Sequence, residues 1–231
     1  MSRIVSVPPI ATLEDDVSLE EANRAFWVSL LGHLRADLHG QIESILDVGC
    51  HNGGLLARLA DEFSPSRIFG IEPLDGPRER ARFRLRHARA TLTLLKPDGW
   101  SEIKDNSLDL VTCHEVLHLI EDVNSLFQEI SRTLCPKGAA FLVAGCHTEN
   151  PVWLRWREQL ASAGQRVFDR APLDILRAGI NAGLKASLRP LRRDGWVFYD
   201  PDLADFQYSS TKEMFDHHYR HKLIFRFVKQ P

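Results

Sequence analysis

The sequence predicts an α/β protein with a doubly wound, mostly parallel sheet and helices on both faces. Three observations predict it. A short apolar run, Ile45-Leu46-Asp47-Val48, enters a glycine turn from Gly49 to Gly54, and a helical period starts at Leu55. Strand-length and helix-length patterns then alternate along the chain. An acid, Glu72, closes the second strand about twenty residues beyond the glycines, where a carboxylate can accept both ribose hydroxyls of a nucleoside cofactor.

The elements follow in order. Residues 1–17 hold two adjacent prolines and an acidic cluster without sustained period, and a loose arm is expected. Ser18 with Glu21 has capping-box spacing, and Leu19, Ala22, Phe26, Leu30 and Leu34 recur at helical intervals until Gly40. This helix is expected to cover a sheet edge, with Phe26 and Trp27 the residues that could wall a substrate pocket. After the first strand, Leu55, Leu56, Leu59, Ala60 and Phe63 form an apolar helical face that Ser64-Pro65-Ser66 ends, and a second strand runs from Arg67 to Glu72. Six arginines lie between Gly76 and Ala90, interleaved with the stripe Ala81, Leu85 and Ala88. They read as the exposed sides of a helix, and the absence of aromatic interleaving argues against nucleic acid.

Thr91 to Leu95 is a third strand, Leu108 to Cys113 a fourth, Asn124 to Leu134 a helix and Phe141 to Ala144 a fifth strand. Beyond Gly145, helices are expected over 151–160 and 172–180, and a hairpin at Asp194-Gly195. A helix capped by Ser210 with Glu213 and a final strand from Leu223 to Val228 would end the sheet with a late antiparallel strand. The expected division is an arm and covering helix over 1–40 and a main domain over 41–231, with a substrate-side insertion at about 146–210.

Composition sets outer bounds. The 231 residues are 44% hydrophobic and 26% charged with a formal net charge of -2, which gives no global reason to expect nucleic acid or an anionic membrane as partner. The four cysteines form no Cys-x-x-Cys pair, and no basic-then-apolar leader precedes them, so a reducing, cytoplasmic setting is expected. No apolar run approaches the roughly 20 residues of a membrane span.

The glycine turn is not a dinucleotide fingerprint, because His51 stands where a pyrophosphate would need bare backbone. Asp47, Gly49 and Gly53 instead resemble the first motif, acid-x-Gly-x-Gly-x-Gly, of the class I S-adenosylmethionine (SAM) dependent methyltransferases, with His51 at the middle glycine. Ser107 to Val111 and Leu134-Cys135-Pro136-Lys137-Gly138 resemble that family's later motifs, with Lys137 replacing the first glycine of a Leu-x-Pro-Gly-Gly turn. The resemblance covers about residues 42–145. It implies a Rossmann-like, seven-stranded sheet and SAM as cofactor, held by Asp47, Gly49, Cys50, His51, Gly53, Glu72, Gly99 and His114, with Asp98 near the adenine amino group. A small-molecule methyl acceptor is expected from the aromatic, near-neutral late segments. His114, after the fourth strand, is the candidate proton acceptor, because an unperturbed imidazole titrates near 6.5.

Two other functions compete. His51 and Lys137 keep open a non-catalytic SAM-binding module. His114-Glu115-Val116-Leu117-His118 matches the zinc-peptidase pattern His-Glu-x-x-His, which needs both histidines on one helix. A strand runs directly into His114 and no third ligand follows in the series, so no metal is expected.

Overall fold

The computed structural model describes residues 17–191, 196–197 and 208–230. The expected arm, and most of the hairpin expected around Asp194-Gly195, lie outside them. The chain runs α1 (Val17–Asp37), β1 (Ser44–Val48), α2 (Gly54–Phe63), β2 (Arg67–Ile71), α3 (Asp75–Arg84), β3 (Thr91–Leu95), β4 (Leu108–His114), α4 (Val123–Thr133), β5 (Leu134–Ala144), α5 (Trp153–Ser162), α6 (Pro172–Asn181), β6 (Leu184–Pro190), α7 (Thr211–Asp216) and β7 (Leu223–Lys229).

One seven-stranded sheet has the order β3-β2-β1-β4-β5-β7-β6. The first five strands pair in parallel, and β7 runs antiparallel to both β5 and β6. The chain therefore winds outward from β1 in both directions, and the switch between β1 and β4 leaves a crevice at their C-terminal ends. Because β7 is antiparallel, its N-terminal approach reaches that same edge.

Period-two alternation divides the strand side chains between two cores. Leu46, Val48, Ala140 and Leu142 pack with α4 and α6, whereas Ile45, Phe141 and Val143 pack with α1, α2 and Leu85. The apolar stripe of α1 is thus core: Leu30 and Leu34 are fully buried. On the opposite face Phe127 of α4 meets Phe227 of β7 with ring centroids 4.5 Å apart. α6 approaches β7 closely because residue 179 is glycine; a Cβ there would lie 2.1 Å from Cε1 of Phe227.

Two elements differ from the sequence reading. β5 starts at Leu134 rather than Phe141, and its register against β4 shifts between Leu108 and Leu110, where the Pro136-Lys137-Gly138 turn is absorbed as a bulge. β6 lies inside the range expected for the substrate-side insertion and forms the sheet's edge. Its sequence, Leu-Lys-Ala-Ser-Leu-Arg-Pro, lacks the β-branched residues that announce a strand, and pairing with β7 fixes it. The Ser210 cap is formed, with its side chain accepting from the Glu213 N–H at 3.1 Å.

Candidate active site

The site grows from the turn after β1. Gly49 (φ 73), His51 (φ 45) and Gly53 (φ 74) take left-handed conformations before α2 begins. Gly49 is required twice over, because a Cβ there would also lie 2.4 Å from Cγ2 of Val116. His51 keeps the backbone that the middle glycine would take, at a cost on the order of 1–2 kcal/mol. The loop is held to the end of β2: the N–H groups of Gly49 and Cys50 donate to the Ile71 carbonyl at 2.8 and 3.1 Å.

Glu72 faces this loop. It is 4% exposed, and its Oε2 accepts the His51 N–H at 3.0 Å while Oε1 accepts the Leu74 N–H at 2.9 Å. An ionised carboxylate offers about four lone-pair sites, so two stay available for a pair of hydroxyls. The remaining acceptor sites of Glu72 therefore fit the ribose hydroxyls of a nucleoside cofactor, while the space a Cβ would need at Gly49 and Gly53 is taken by Val116 and Ala81. Asp98 follows β3 on an exposed 3₁₀ turn, Pro97–Glu102, where the Gly99 N–H donates to the Lys96 carbonyl at 2.9 Å.

Asp47 and Cys50 turn inward. Asp47 is 2% exposed and accepts the Thr112 hydroxyl at 2.7 Å across the β1–β4 register. Burial pushes its carboxyl up to about 7, against the opposing effect of the Thr112 bond. Cys50 is buried with its Sγ 2.7 Å from the Cβ position of Gly70, and burial raises its thiol, with Asp47 adding to the shift.

His114 ends β4. Its ring meets Trp27 edge-on at 6.2 Å, and its Nε2 is buried without a hydrogen-bond partner among the described residues. Burial, with Lys222 adding to it, lowers this imidazole to about 3, so it is neutral throughout the neutral range. The argument from an unperturbed histidine pKa therefore does not hold at this position. The next residue, Glu115, has φ 56, and only a short 3₁₀ turn, Leu117–Leu119, follows. His114 and His118 do not share a helix face, so the geometry that the peptidase pattern needs is not formed.

A second group converges from segments that sequence reasoning did not connect. Glu115 Oε1 accepts the Gly145 N–H at 2.6 Å and lies 2.8 Å from Lys222 Nζ. Burial works to raise this carboxyl, but Lys222 and the neighbouring histidines hold it down at about 2. Asn150 Nδ2 donates to the Gly145 carbonyl at 2.6 Å and to His217 Nδ1 at 3.0 Å. His118, His147 and His217 are buried, and burial lowers all three imidazoles, His118 to about 4. Trp153 stands edge-on to His118, and Phe26 and Trp156 stand edge-on to His217. His217, from the histidine-rich stretch before β7, is 4% exposed. Ligand atoms of Glu115, His118 and Cys146 lie within 4.8 Å of one another, and the Lys222 ammonium already supplies the positive charge beside Glu115.

The arginine run is engaged locally. Arg78, Arg82 and Arg84 pair with Asp75, Glu79 and Glu20, and Arg80 Nε donates to Asn52 at 2.8 Å. A hollow lined by Phe141, Ser187, Arg189 and Arg226 lies along the middle of β5, β6 and β7 and includes none of the site residues above.

Comparison with known proteins agrees with this geometry. The family model described as a methyltransferase domain matches residues 46–142. The chain is 27% identical over 166 residues to a malonyl-[acyl-carrier protein] O-methyltransferase of Geobacter sulfurreducens, covering 70% of this chain and 62% of that protein. The match thus spans about three fifths of that relative's length. Among solved structures, the complex between the Haloferax volcanii Trm112 methyltransferase activator and its methyltransferase matches with TM-score 0.77 at 17% identity, over 96% of this chain and 97% of that one. Phosphoethanolamine N-methyltransferase 2 of Haemonchus contortus, solved with SAM, matches with TM-score 0.63 at 18% identity, over 88% and 52%. At these identities the two structures speak for the fold. Residues 46–142 thus match a methyltransferase domain, and the sheet order around the glycine loop is shared with SAM-dependent methyltransferases of known structure.

Proposed function

We propose that the protein transfers the methyl group of SAM to a small-molecule acceptor. The observation that carries this reading is Glu72, whose two free lone-pair sites face a loop that holds left-handed backbone at Gly49, His51 and Gly53. Bound SAM would supply a methyl group already electrophilic on its sulfonium. The chain's own residues would hold and orient. Glu72 would accept the ribose hydroxyls, and the backbone at Gly49, Cys50 and Gly53 would admit the cofactor closely. Asp98 and Gly99 would border its base, and Asp47 would act from within the sheet by tying β1 to β4.

The acceptor side is the group of rings and imidazoles above β4 and β5, which excludes water and is charge-balanced by Glu115 and Lys222. Such a lining suits a compact aromatic or apolar molecule carrying one hydroxyl, carboxyl or amine. The names of the relatives, with acyl-carrier-bound malonyl and phosphoethanolamine among them, support small acceptors of differing chemistry. His114, the candidate proton acceptor, is lowered too far to hold a proton near neutral pH, so its proposed part is to accept a hydrogen bond from the acceptor's O–H or N–H through an Nε2 that has no partner among the described residues. Because it stays neutral down to about pH 3, it should contribute no limb near pH 6.5 to the activity profile.

No described helix is long and apolar enough to cross a membrane. All four cysteines are free, which supports a reducing cytoplasmic setting. The departures at His51 and Lys137 do not favour a non-catalytic module, since both residues take the left-handed backbone that glycine would.

The test is transfer of labelled methyl from SAM to a panel of small phenols, carboxylic acids and amines. We expect turnover on one class, with His114→Ala lowering it up to about tenfold, as loss of one neutral hydrogen bond would, at unchanged SAM affinity. Wild-type turnover in that variant would remove His114 from orienting the acceptor. SAM binding without turnover on any class would favour the non-catalytic module.

A further inference from the structure

The transfer reading uses the Glu115–Lys222 ion pair only to balance charge beside the acceptor side. Glu115 follows the last residue of β4 with φ 56, and its carboxylate gathers three sheet ends. Gly145, just past β5, donates to it at 2.6 Å, and Lys222, just before β7, lies 2.8 Å from it. Lys222 is 4% exposed and holds its ammonium 4.0 Å from the centroid of the Phe26 ring, which adds α1 to the assembly. The residue after Glu115 is Val116, whose Cγ2 reaches to 2.4 Å from the Cβ position of Gly49. The segment that Glu115 anchors is therefore also one wall of the glycine loop. Stability alone gives no reason for such a pair. Burying two charges costs several kcal/mol per ion, and apolar replacements of both are often neutral or better. Backbone strain held beside a binding loop is a common companion of preorganised sites.

We propose that Lys222 is a positioning residue: by clamping Glu115 it sets the His114–Val116 segment against Gly49 and so fixes the cofactor loop in its binding shape. This rests on the reading that the loop binds SAM. Lys222 acts through Glu115 and Val116, from the side of the crevice opposite Glu72. Loss of the ammonium frees Glu115 to leave its left-handed conformation, and Val116 then no longer defines the floor at Gly49.

The test is calorimetric titration of SAM into the wild type, Lys222→Met, Glu115→Gln, Lys222→Arg and the double Glu115→Gln/Lys222→Met variant, with Tm measured for each. Each neutralising single variant should bind SAM at least tenfold more weakly. Lys222→Arg should keep affinity within about threefold. The double variant, which buries no charge, should recover the wild-type Tm while affinity stays tenfold down. Lys222→Met binding SAM within twofold of the wild type would overturn the clamp, as would affinity that is lost and regained together with Tm. If Lys222→Met does not fold, the double variant decides in the same way: weakened binding supports the clamp, and wild-type affinity overturns it. A wild type that binds no SAM would instead overturn the transfer reading, and the clamp with it.

Discussion

Asp47 lies inside the sheet as a carboxyl whose proton is retained to about pH 7. Its unfolded counterpart releases that proton near pH 4. Between these values the folded state binds more protons than the unfolded, so this group's contribution to stability falls as pH rises from about 4 to about 7. A shift of about three units corresponds to roughly 4 kcal/mol at most. Asp47→Asn keeps an acceptor for Thr112 without the titration. Its Tm relative to the wild type should therefore rise by several degrees between pH 5 and pH 8; a constant difference would mean that Asp47 is ionised when folded. Lys137 makes a second residue-scale case. It stands at φ 70, a conformation that costs an L-residue about 1–2 kcal/mol, partly offset because glycine loses more backbone freedom on folding. Lys137→Gly should stabilise the protein by about 0.5–1 kcal/mol in denaturant unfolding, and a loss of stability would show that the lysine side chain contributes more than its backbone costs. Both positions were legible in the sequence as motif positions, Asp47 as an acid before glycines and Lys137 as a departure. That Asp47 faces Thr112 was not legible, because which neighbour a strand residue meets depends on the β1–β4 pairing.

At the scale of elements, the contact of α6 with β7 gives the sharpest expectation. Helix propensity favours Gly179→Ala by about 0.5–1 kcal/mol. A Cβ at 179 would, however, meet Cε1 and Cδ1 of Phe227 at 2.1 and 2.3 Å. Packing should win: urea unfolding of Gly179→Ala should show destabilisation of about 1–3 kcal/mol, and a stabilised variant would mean that α6 can shift away from the sheet. The strands β1 to β4 and the helices α2 and α4 were legible because each has its own apolar period and a turn signal beside it. β6 was not, since its alternation is weak and only its pairing with β7 makes it a strand. The His114-to-His118 pattern matches a metal helix in spacing only. The sequence reading set it aside because a strand runs into His114, and β4 does continue through His114 before Glu115 turns left-handed, so local spacing is overridden by the sheet.

For the whole molecule, the doubly wound order puts the glycine loop, Glu72, His114 and the Glu115–Lys222 pair on one edge of a single sheet. The cofactor half of this arrangement was legible because it is local: strand, turn, helix, strand and acid follow within thirty residues. The acceptor half was not, since Phe26, Glu115, Asn150, His217 and Lys222 come from distant segments that only the completed fold assembles. The central claim is that this edge holds SAM through Glu72, and isothermal titration calorimetry tests it most directly. The account predicts one SAM site per chain, no binding of NAD, and affinity lowered about tenfold or more in Glu72→Gln, which exchanges hydrogen bonds to a charged acceptor, worth roughly 1.5–3 kcal/mol each, for neutral ones about half as strong. No heat of SAM binding to the wild type, or equal affinity in wild type and Glu72→Gln, would contradict it.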